Sequence, residues 1–264
     1  MLHNVKKLSM LLLLHGLLCS AAQAQYGEYD SLTFVSPGGD SLHYRRLNPL
    51  MTVPGEKYPL ILFLHGAGER GEDNVSQLYH GAMMFTNPVN RERYPAIVLF
   101  PQCPARFFWP MPERPDGFRR ENPFPLDAEI SAPLALVMEL LESVIETAPV
   151  DTGRIYVTGL SMGGMGTFDL VCRFPRLFAA AVPICGGVHT GRFDGFASQT
   201  AFRIFHGDAD AVVPVRFSRE AYRKLKERGA EVEYIEFPGV NHDSWNPAFN
   251  RADFLPWLFQ QRKK

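Results

Sequence analysis

Apolar segments typical of buried strands alternate with helix-period segments along most of this chain. Continuous apolar runs at 58–66 (YPLILFLHG) and 96–102 (AIVLFPQ) predict strands that are covered on both faces. Between 126 and 149 the apolar positions recur every three or four residues, which predicts an amphipathic helix that ends at Pro149. Two short segments around a Pro-Gly-Gly-Asp turn, at 31–47, predict a β-hairpin.

The second half of the chain continues this alternation. Apolar runs predict four more strands, at RIYVTGLS, FAAAVPICGG, FRIFHGD and VEYIEFPG. Helices are expected at MGGMGTFDLVCRF, at 218–229 with Ser218 as N-cap and Gly229 just past the end, and at PAFNRADFLPWLFQ. Strands alternating with helices predict right-handed βαβ units, and therefore an α/β fold with a mostly parallel sheet and helices on both faces. Ligands of such folds bind beyond the carboxyl ends of the strands.

The N-terminal segment has a different pattern. Two lysines precede an apolar run from Leu8 to Cys19, and residues 22–24 (AQA) fit the small-residue motif of a cleavage site. We therefore expect a signal peptide at 1–24, a mature domain at 25–264, and an exported protein that is periplasmic or extracellular. The apolar run is too short to cross a bilayer, so we expect no membrane span.

Composition narrows the class of protein. Removal of 24 residues from 264 leaves 240, which suits one domain with a sizeable core. Without the two lysines of the signal peptide, the net charge of −1 becomes −3, and nothing favours nucleic acid as a partner. Cys103, Cys172 and Cys185 remain, an odd number that leaves at least one free thiol. The sequence leaves open whether Cys172 and Cys185 pair, and no cysteine or histidine cluster indicates a structural metal.

Ser161 lies among four glycines in VTGLSMGGMG, where a predicted strand meets a predicted helix. The segment 159–163 fits the G-x-S-x-G pattern of a nucleophile elbow. A sharp strand-to-helix turn strains the central residue and excludes bulky neighbours, which explains the glycines. It also places the N–H of Met162 at a helix N-terminus, where developing negative charge is stabilised. The alternative interpretation is an ordinary glycine-rich turn.

A serine nucleophile needs a base, and the base needs a third group that holds its tautomer. Asp208 and Asp210 follow one predicted strand, and His242 follows the next. These residues and Ser161 lie at carboxyl ends of strands, on one edge of the sheet, which predicts a Ser–His–Asp triad. The residues alone do not choose between the two aspartates. His65 and His206, each followed by glycine, are expected to be buried structural residues.

The loop LHGAGERG (64–71) follows an earlier buried strand and contains small residues that let a substrate approach the backbone. We expect the N–H of Ala67, with Gly68 as the alternative, to be the second donor of an oxyanion hole beside Met162. Glu69 and Arg70 either line the entrance of the site or pair in solvent.

Residues 101–125 contain seven prolines and five aromatic residues, too many prolines for a helix or a central strand. This segment leaves a strand at the edge where the site is expected. Of its aromatic cluster, we expect Trp109 to contact the substrate, while Phe107 and Phe108 pack the loop. The expected substrate contacts outside the segment are Glu69 and Trp245, with His189 as a further rim candidate.

Four motifs taken together, LHGAGERG, GLSMGG, HGDADAVVP and the terminal His242, resemble those of α/β-hydrolase-fold serine esterases. The similar branch includes carboxylesterases and phospholipase/carboxylesterase-like enzymes, dienelactone-hydrolase-like proteins, and feruloyl or acetyl esterases of carbohydrate esterase family 1. The resemblance extends from about Tyr58 to the C-terminus. It implies Ser161 as nucleophile, His242 as base and Asp210 as acid, with Asp208 capping a turn, and it implies no cofactor and no metal. Dienelactone hydrolases use cysteine at the elbow, so the serine argues against their chemistry.

The sequence thus predicts an exported serine hydrolase that cleaves carboxylic esters through an acyl-enzyme. Its expected substrates are feruloyl or acetyl decorations of polysaccharides, or small esters. A mature chain of this length without a long apolar insertion argues against a large lid and against long-chain lipids. The alternatives are a serine peptidase, for which no gating domain fits, and a catalytically silent carbohydrate-binding protein. A metal site at Asp208, Asp210 and His242 would leave the glycine-rich elbow unexplained, and the oligomeric state is open.

Overall fold

A computed structural model describes residues 26–111, 123–194 and 199–264, so the predicted signal peptide lies outside the described residues. The described strands are β1 (Asp30–Val35), β2 (Ser41–Leu47), β3 (Tyr58–Leu64), β4 (Ile97–Pro101), β5 (Val150–Leu160), β6 (Ala180–Ile184), β7 (Ala201–Gly207) and β8 (Val232–Phe237). The helices are α1 (Ala82–Thr86), α2 (Pro88–Arg93), α3 (Ala132–Thr147), α4 (Met162–Arg173), α5 (Arg216–Glu227), α6 (Trp245–Phe249) and α7 (Phe254–Gln260). Short 3-10 turns occur at Ala67–Glu69, Ser76–Leu78 and Thr190–Phe193.

The eight strands form one sheet in the order β1-β2-β4-β3-β5-β6-β7-β8. The predicted hairpin β1–β2 is antiparallel, β2 is antiparallel to β4, and every other neighbouring pair is parallel. The carboxyl ends of β3 to β8 therefore lie on one edge. The expectation of a mostly parallel sheet in a single domain is confirmed.

The side chains of strand β3 pack against helices on both faces of the sheet. They alternate between two hydrophobic clusters because successive residues of a strand point to opposite faces. Leu60, Leu62 and Leu64 pack with apolar residues of α3, α4 and α5, whereas Ile61 and Phe63 pack with residues of α1, α6 and α7. All seven residues of β3 are buried, as the continuous apolar run predicts.

Helix α3 begins at Ala132, six residues later than the predicted start at 126. Ser131 is the N-cap, since its Oγ accepts a hydrogen bond from the N–H of Leu134 at 3.3 Å. Pro133 in the first turn suits a helix start, because proline lacks the N–H that would be unsatisfied there. The periodic residue Leu126 lies outside the helix and is half-exposed.

Two other helix predictions are wrong in detail. Helix α5 begins at Arg216, and Ser218, the expected N-cap, lies inside it, fully buried beside His206. The closing helix is divided into α6 and α7. Pro256 explains the division, because a continuous helix would require at this position an N–H that proline lacks.

The short helices α1 and α2 have no counterpart in the sequence prediction. Gly81, at a φ of 81°, precedes α1, and Asn87 caps α2 by accepting hydrogen bonds from Val89 and Asn90. Within the described ranges, no helix combines the length and apolar character that crossing a membrane requires.

Candidate active site

Ser161 is the junction between β5, which ends at Leu160, and α4, which begins at Met162. Its backbone has a φ of 53° and a ψ of −115°, a strained conformation for a residue with a side chain. The strain is held by two hydrogen bonds: the Ser161 N–H donates to the carbonyl of Ile184 at 2.9 Å, and its carbonyl accepts from the N–H of Met165 at 3.0 Å. The half-buried hydroxyl is thereby presented at the sheet edge.

The glycines of the elbow leave space for neighbouring backbone. A Cβ atom placed on Gly163 would lie 1.9 Å from the carbonyl oxygen of Leu64, and one on Gly159 would lie 2.5 Å from the carbonyl oxygen of Gly163. Helix α4 therefore approaches the end of β3 more closely than any side chain permits. This is the steric reason for the glycine pattern that the sequence analysis inferred.

The structure brings the three predicted triad residues together. Ser161 Oγ lies 2.8 Å from His242 Nε2, and His242 Nδ1 lies 2.8 Å from Asp210 Oδ2. The side chain of Asp210 is fully buried, and that of His242 is mostly buried. Asp208 is exposed and accepts a hydrogen bond from the N–H of Gly239 at 2.6 Å, the turn contact that was expected of it. With a neutral imidazole, this geometry allows Nε2 to accept the serine proton while Nδ1–H donates to the carboxylate.

Asp210 receives four hydrogen bonds. Its Oδ2 accepts from His242 and, at 3.1 Å, from His206 Nε2; its Oδ1 accepts from the N–H groups of Val212 and Val213 at 2.9 and 2.8 Å. Burial by itself raises the pKa of Asp210, but the hydrogen bonds from His206, His242 and Val213 outweigh it and hold this pKa well below its ordinary value. The carboxylate is therefore charged at neutral pH.

The loops that carry Asp210 and His242 are joined through backbone contacts. The N–H of Ala209 donates to the carbonyl of Val240 at 3.1 Å, and that of Ala211 donates to Asn241 Oδ1 at 2.9 Å. A Cβ on Gly207, the last residue of β7, would lie 2.1 Å from the carbonyl oxygen of Val240. The two loops thus pack backbone against backbone, which fixes the distance between the acid and the histidine.

His65 and His206 are both buried, as expected. His65 Nδ1 donates to the carbonyl of Gly66 at 2.6 Å, and its Nε2 accepts from the N–H of Cys103 at 2.9 Å. Burial lowers the pKa of His65 to about 4. His206 Nε2 faces two acceptors, the carbonyl of Val213 at 2.9 Å and Asp210 Oδ2 at 3.1 Å, so it carries a proton; its Nδ1 lies 2.7 Å from the hydroxyl of Ser218. His206 is therefore a structural neighbour of the triad, a contact that the sequence analysis did not anticipate.

Two backbone N–H groups are available near the serine. Met165 makes the first intrahelical bond of α4, to the carbonyl of Ser161, so the N–H of Met162 has no acceptor within the helix. Ala67 opens the 3-10 turn that follows β3, and both Ala67 and Gly68 line the same cleft as Ser161. Because Gly163 packs on Leu64, the start of α4 and the start of this loop are adjacent.

The cleft above Ser161 has a volume of about 300 Å³. It is lined by residues of the β3 loop, the elbow and the two triad loops: Gly66, Ala67, Gly68, Glu69, His80, Phe108, Leu160, Ser161, Met165, Val212, Val213, His242 and Trp245. The expected substrate contacts Glu69 and Trp245 are among them. The indole of Trp245 meets the imidazole of His242 edge to face, with ring centroids 5.6 Å apart. His80 was not identified from the sequence because it belongs to no motif. Leu160, Met165, Val212 and Val213 lie within the quoted motifs but were not assigned to the cleft.

Trp109 does not line the cleft, and its assignment as a substrate contact is wrong. Its side chain is fully buried, its Nε1 donates to the carbonyl of His65 at 3.1 Å, and its Cβ packs near Gly166. The indole fills the core beneath the β3 loop. Phe108, expected to pack the loop, lines the cleft instead, although it is 4% exposed. Residues 112–122 of the proline-rich segment lie outside the described residues.

Arg70 braces the loops of the site. Its side chain donates to the carbonyl of Ala67 at 2.9 Å and to those of Ala105 and Phe107 at 3.2 and 3.1 Å. It therefore joins the β3 loop to the segment after β4, and neither of the two roles considered for Arg70 describes it. His189 is not among the residues that line the cleft. Its Nδ1 accepts from the N–H of Gly191 at 3.1 Å.

The cysteines are free thiols in the described part of the chain. Cys185 Sγ, Asp210 and His242 offer atoms within 4.8 Å of one another, a spacing that suits a metal ion. The chemistry of these three groups does not suit a metal ion. His242 Nδ1 and Asp210 Oδ2 are hydrogen-bonded to each other. Burial also raises the pKa of Cys185 well above its ordinary value, which keeps the thiol protonated. Metal binding would require a thiolate and would break the His242–Asp210 contact.

Comparisons with known proteins identify the family of this chain. Residues 48–255 match the family model described as phospholipase/carboxylesterase. A probable carboxylesterase of Oryza sativa subsp. japonica is 25% identical over 201 residues, which cover 70% of this chain and 81% of the rice protein. A probable feruloyl esterase C of Aspergillus niger is 30% identical over 122 residues, 46% of this chain and 43% of that protein.

Solved structures have the same fold. A thermostable esterase superposes with a TM-score of 0.81 at 37% identity, and the match covers 90% of this chain and 64% of that one. A carbohydrate esterase family 1 ferulic acid esterase from Anaeromyces mucronatus superposes with a TM-score of 0.63 at 17% identity, over 88% of this chain and 90% of its own. The second likeness supports the fold alone. The chain belongs to the phospholipase/carboxylesterase family, and it is a carboxylic-ester hydrolase of the α/β-hydrolase fold.

Proposed function

We propose that this protein is an exported serine esterase in which Ser161, His242 and Asp210 form the catalytic triad. The observation that carries the proposal is the unbroken series of contacts from Ser161 Oγ to His242 Nε2 and from His242 Nδ1 to Asp210 Oδ2, each 2.8 Å long. A serine hydroxyl becomes an effective nucleophile when such a base takes its proton. The strained elbow and the open cleft around Ser161 support the same role.

The proposed reaction has two steps. Ser161 Oγ attacks the ester carbonyl while His242 Nε2 takes its proton, and Asp210 stabilises the resulting imidazolium. The N–H groups of Ala67 and Met162 donate to the oxyanion. His242 then protonates the leaving alcohol, which departs and leaves an acyl-enzyme on Ser161. Water, deprotonated by His242, attacks this acyl group, and its proton passes to Ser161 as the acid is released. No cofactor or metal takes part.

For the substrate we propose acyl decorations of polysaccharides, feruloyl or acetyl, or small esters of similar size. A cleft of about 300 Å³ suits groups of this size. The relatives named feruloyl esterase and the predicted signal peptide agree with an extracellular or periplasmic polysaccharide as the source. Glu69 and Trp245 are the side chains proposed to contact the substrate. The formal net charge, slightly negative, favours no nucleic-acid partner.

The test is hydrolysis of 4-nitrophenyl acetate and methyl ferulate by the mature chain and by Ser161→Ala. Removing the nucleophile of a triad lowers kcat by about 10⁵- to 10⁶-fold, and we expect a loss of this size for whichever ester is cleaved. Ser143→Ala, a serine of α3 that is not among the cleft residues, is the matched control and keeps the wild-type rate. Turnover that survives in Ser161→Ala contradicts the proposal. Faster cleavage of an aminoacyl-arylamide than of either ester would favour a peptidase.

A further inference from the structure

Two residues that line the cleft each have a buried polar atom without a hydrogen-bond partner. Among the described residues, the short set of such atoms includes Oε2 of Glu69 and Nε1 of Trp245. The side chain of Glu69 is 12% exposed, so its carboxylate is largely closed to solvent. Buried polar groups are nearly always paired in folded proteins, and an unpaired one calls for an explanation. Since both residues line the cleft that holds Ser161, a bound ligand is a natural partner.

The two unpaired atoms belong to one continuous group of side chains. His80 Nε2 lies 3.6 Å from Glu69 Oε1, and the His80 ring lies 5.1 Å from the indole of Trp245. The indole in turn contacts the ring of His242. Glu69 Oε2 also lies 2.9 Å from the position that a Cβ of Gly66 would take, beside the proposed oxyanion loop. We call Glu69, His80 and Trp245 the polar subsite; it adjoins the triad on one side and this loop on the other.

The chemistry of the unpaired atoms selects the ligand. A carboxylate oxygen only accepts hydrogen bonds, and an indole N–H only donates them. An ammonium group would satisfy Glu69 and leave Trp245 unpaired, whereas a carboxylate would do the reverse and be repelled by Glu69. A hydroxyl both donates and accepts, so hydroxyl groups suit both kinds of atom. The remaining lining, Phe108, Met165 and Val212 among it, suits a carbon skeleton.

We propose that the polar subsite recognises a hydroxyl-bearing part of the ester, through donation to Glu69 and acceptance from Trp245. This inference rests on the proposed esterase function and deepens it, since it specifies a hydroxylated substrate. A phenolic hydroxyl of the acyl group and the hydroxyls of a sugar or polyol alcohol share this chemistry. The experiment has one arm for each source.

Two matched pairs of esters test the subsite. Methyl 4-hydroxycinnamate and methyl cinnamate differ by one hydroxyl on the acyl side, and glycerol monoacetate and propyl acetate differ by two on the alcohol side. We expect the wild-type protein to prefer the hydroxylated ester in one pair by about tenfold or more in kcat/KM, because a hydrogen bond to a charged group discriminates by at least this factor. The pair that shows the preference identifies whether the subsite binds the acyl group or the alcohol of the ester.

Variants of the polar subsite are judged by the ratio of kcat/KM for the hydroxylated ester to kcat/KM for its partner ester, and not by the absolute rate. Glu69→Leu removes the acceptor and brings the ratio close to one, and Trp245→Phe, which removes the N–H but keeps the ring, lowers it as well. Glu69→Gln has nearly the same shape as the native residue and lowers the ratio even if Glu69→Leu does not fold. Glu72→Gln, an exposed acid of the same loop, is the matched control and keeps the wild-type ratio.

Two results overturn the inference while leaving the esterase proposal intact. One is a wild-type ratio near one in both pairs together with Ser161-dependent turnover. The other is a tenfold preference that both Glu69 variants retain. If none of the four esters and no 4-nitrophenyl acetate is cleaved in a Ser161-dependent way, the proposed function fails, and the subsite proposal fails with it.

Discussion

The surroundings of Asp210 stabilise the negative charge of its carboxylate. Four donors surround its two oxygens, and they come from three places: the triad histidine, the buried His206, and the backbone of the loop that follows. The donors on Oδ1 fix the plane of the carboxylate, so Oδ2 faces both imidazoles. A charged acceptor at this position requires His242 to carry its proton on Nδ1, which leaves Nε2 free to accept from Ser161.

Asp210→Asn is expected to lower kcat for 4-nitrophenyl acetate by about 10⁴-fold while the protein stays folded. The amide has almost the same volume but no charge, and it offers a donor where an imidazole N–H already points, so His242 loses its tautomer. Steady-state kinetics with circular dichroism as the fold check measure the effect.

Asp208→Asn is the matched control for this prediction, since Asp208 is exposed and an asparagine oxygen can still accept from Gly239. We expect its kcat to stay within about twofold of wild type, the usual result for a surface substitution away from the site. Equal losses in the two variants would mean that Asp210 has no special role.

Strand β5, Ser161 and helix α4 act as one element. The strand delivers the serine to the edge of the sheet, and the helix begins with the N–H groups that face it. The helix can start there only because Gly163 lets it touch the end of β3. The position of the nucleophile therefore depends on backbone packing between β3 and α4 as much as on the serine itself.

Gly163→Ala is expected to destabilise the protein by about 3 kcal/mol or more, because the added methyl would meet a backbone carbonyl that cannot rotate away. Activity in the folded fraction falls as well, since relief of the clash moves α4 away from β3. Urea denaturation of the purified protein measures the loss of stability, and esterase assays at equal protein concentration measure the loss of activity. Gly38→Ala has ordinary contact distances, 3.5 Å to Ser36 Oγ, and should change the free energy of unfolding by less than about 0.5 kcal/mol.

At the scale of the whole molecule, the sheet is covered on both faces, and His65, the residue that follows β3, is buried with it. His65 sits at the join between the loop after β3 and the segment after β4, with both ring nitrogens bonded to backbone groups. Burial gives it a pKa of about 4, compared with 6.5 in an unfolded chain. Its neutral form is part of the folded structure.

This pKa difference predicts a loss of stability on mild acidification. Between pH 6.5 and 4 the unfolded state binds a proton on His65 that the folded state does not, so stability falls as the pH falls, by roughly 3 kcal/mol across the window. Asp73 and Glu236, whose pKa values are lowered to about 2, add their losses only below about pH 4. Urea unfolding at pH 7, 6, 5 and 4.5 measures the free energy.

His65→Gln is the companion variant, because a glutamine keeps a donor and an acceptor but does not titrate. We expect it to be less stable than wild type at pH 7 and to lose less stability between pH 6.5 and 4.5. A wild-type free energy of unfolding that stays constant over this range would contradict the assignment of a neutral, buried His65, whatever the variant does.

Much of the fold and of the proposed triad follows from local sequence. Every predicted strand is present, because an apolar run such as that of β3 has few stable alternatives to burial on both faces. Ser161 and His242 were predicted because each follows a strand, and the ends of parallel strands meet whatever the loops do. Asp208 and Asp210 both follow a strand, and only the resemblance to α/β-hydrolase esterases selected Asp210. Helix boundaries were less accurate at Ser131 and Pro256, where a cap or a proline overrides the periodicity.

Tertiary structure decided which polar and aromatic side chains line the cleft. Trp109 and Phe108 are adjacent aromatic residues of one loop, and only the approach of α4 and the carbonyl of His65 place the tryptophan in the core and the phenylalanine at the cleft. His80 belongs to no motif and lines the cleft between Glu69 and Trp245. A sequence pattern records which face of an element is apolar, but the neighbours of a loop side chain depend on how distant elements pack. The sequence therefore determined the sheet, the strand ends and the proposed catalytic residues, while packing between those elements determined the walls of the cleft.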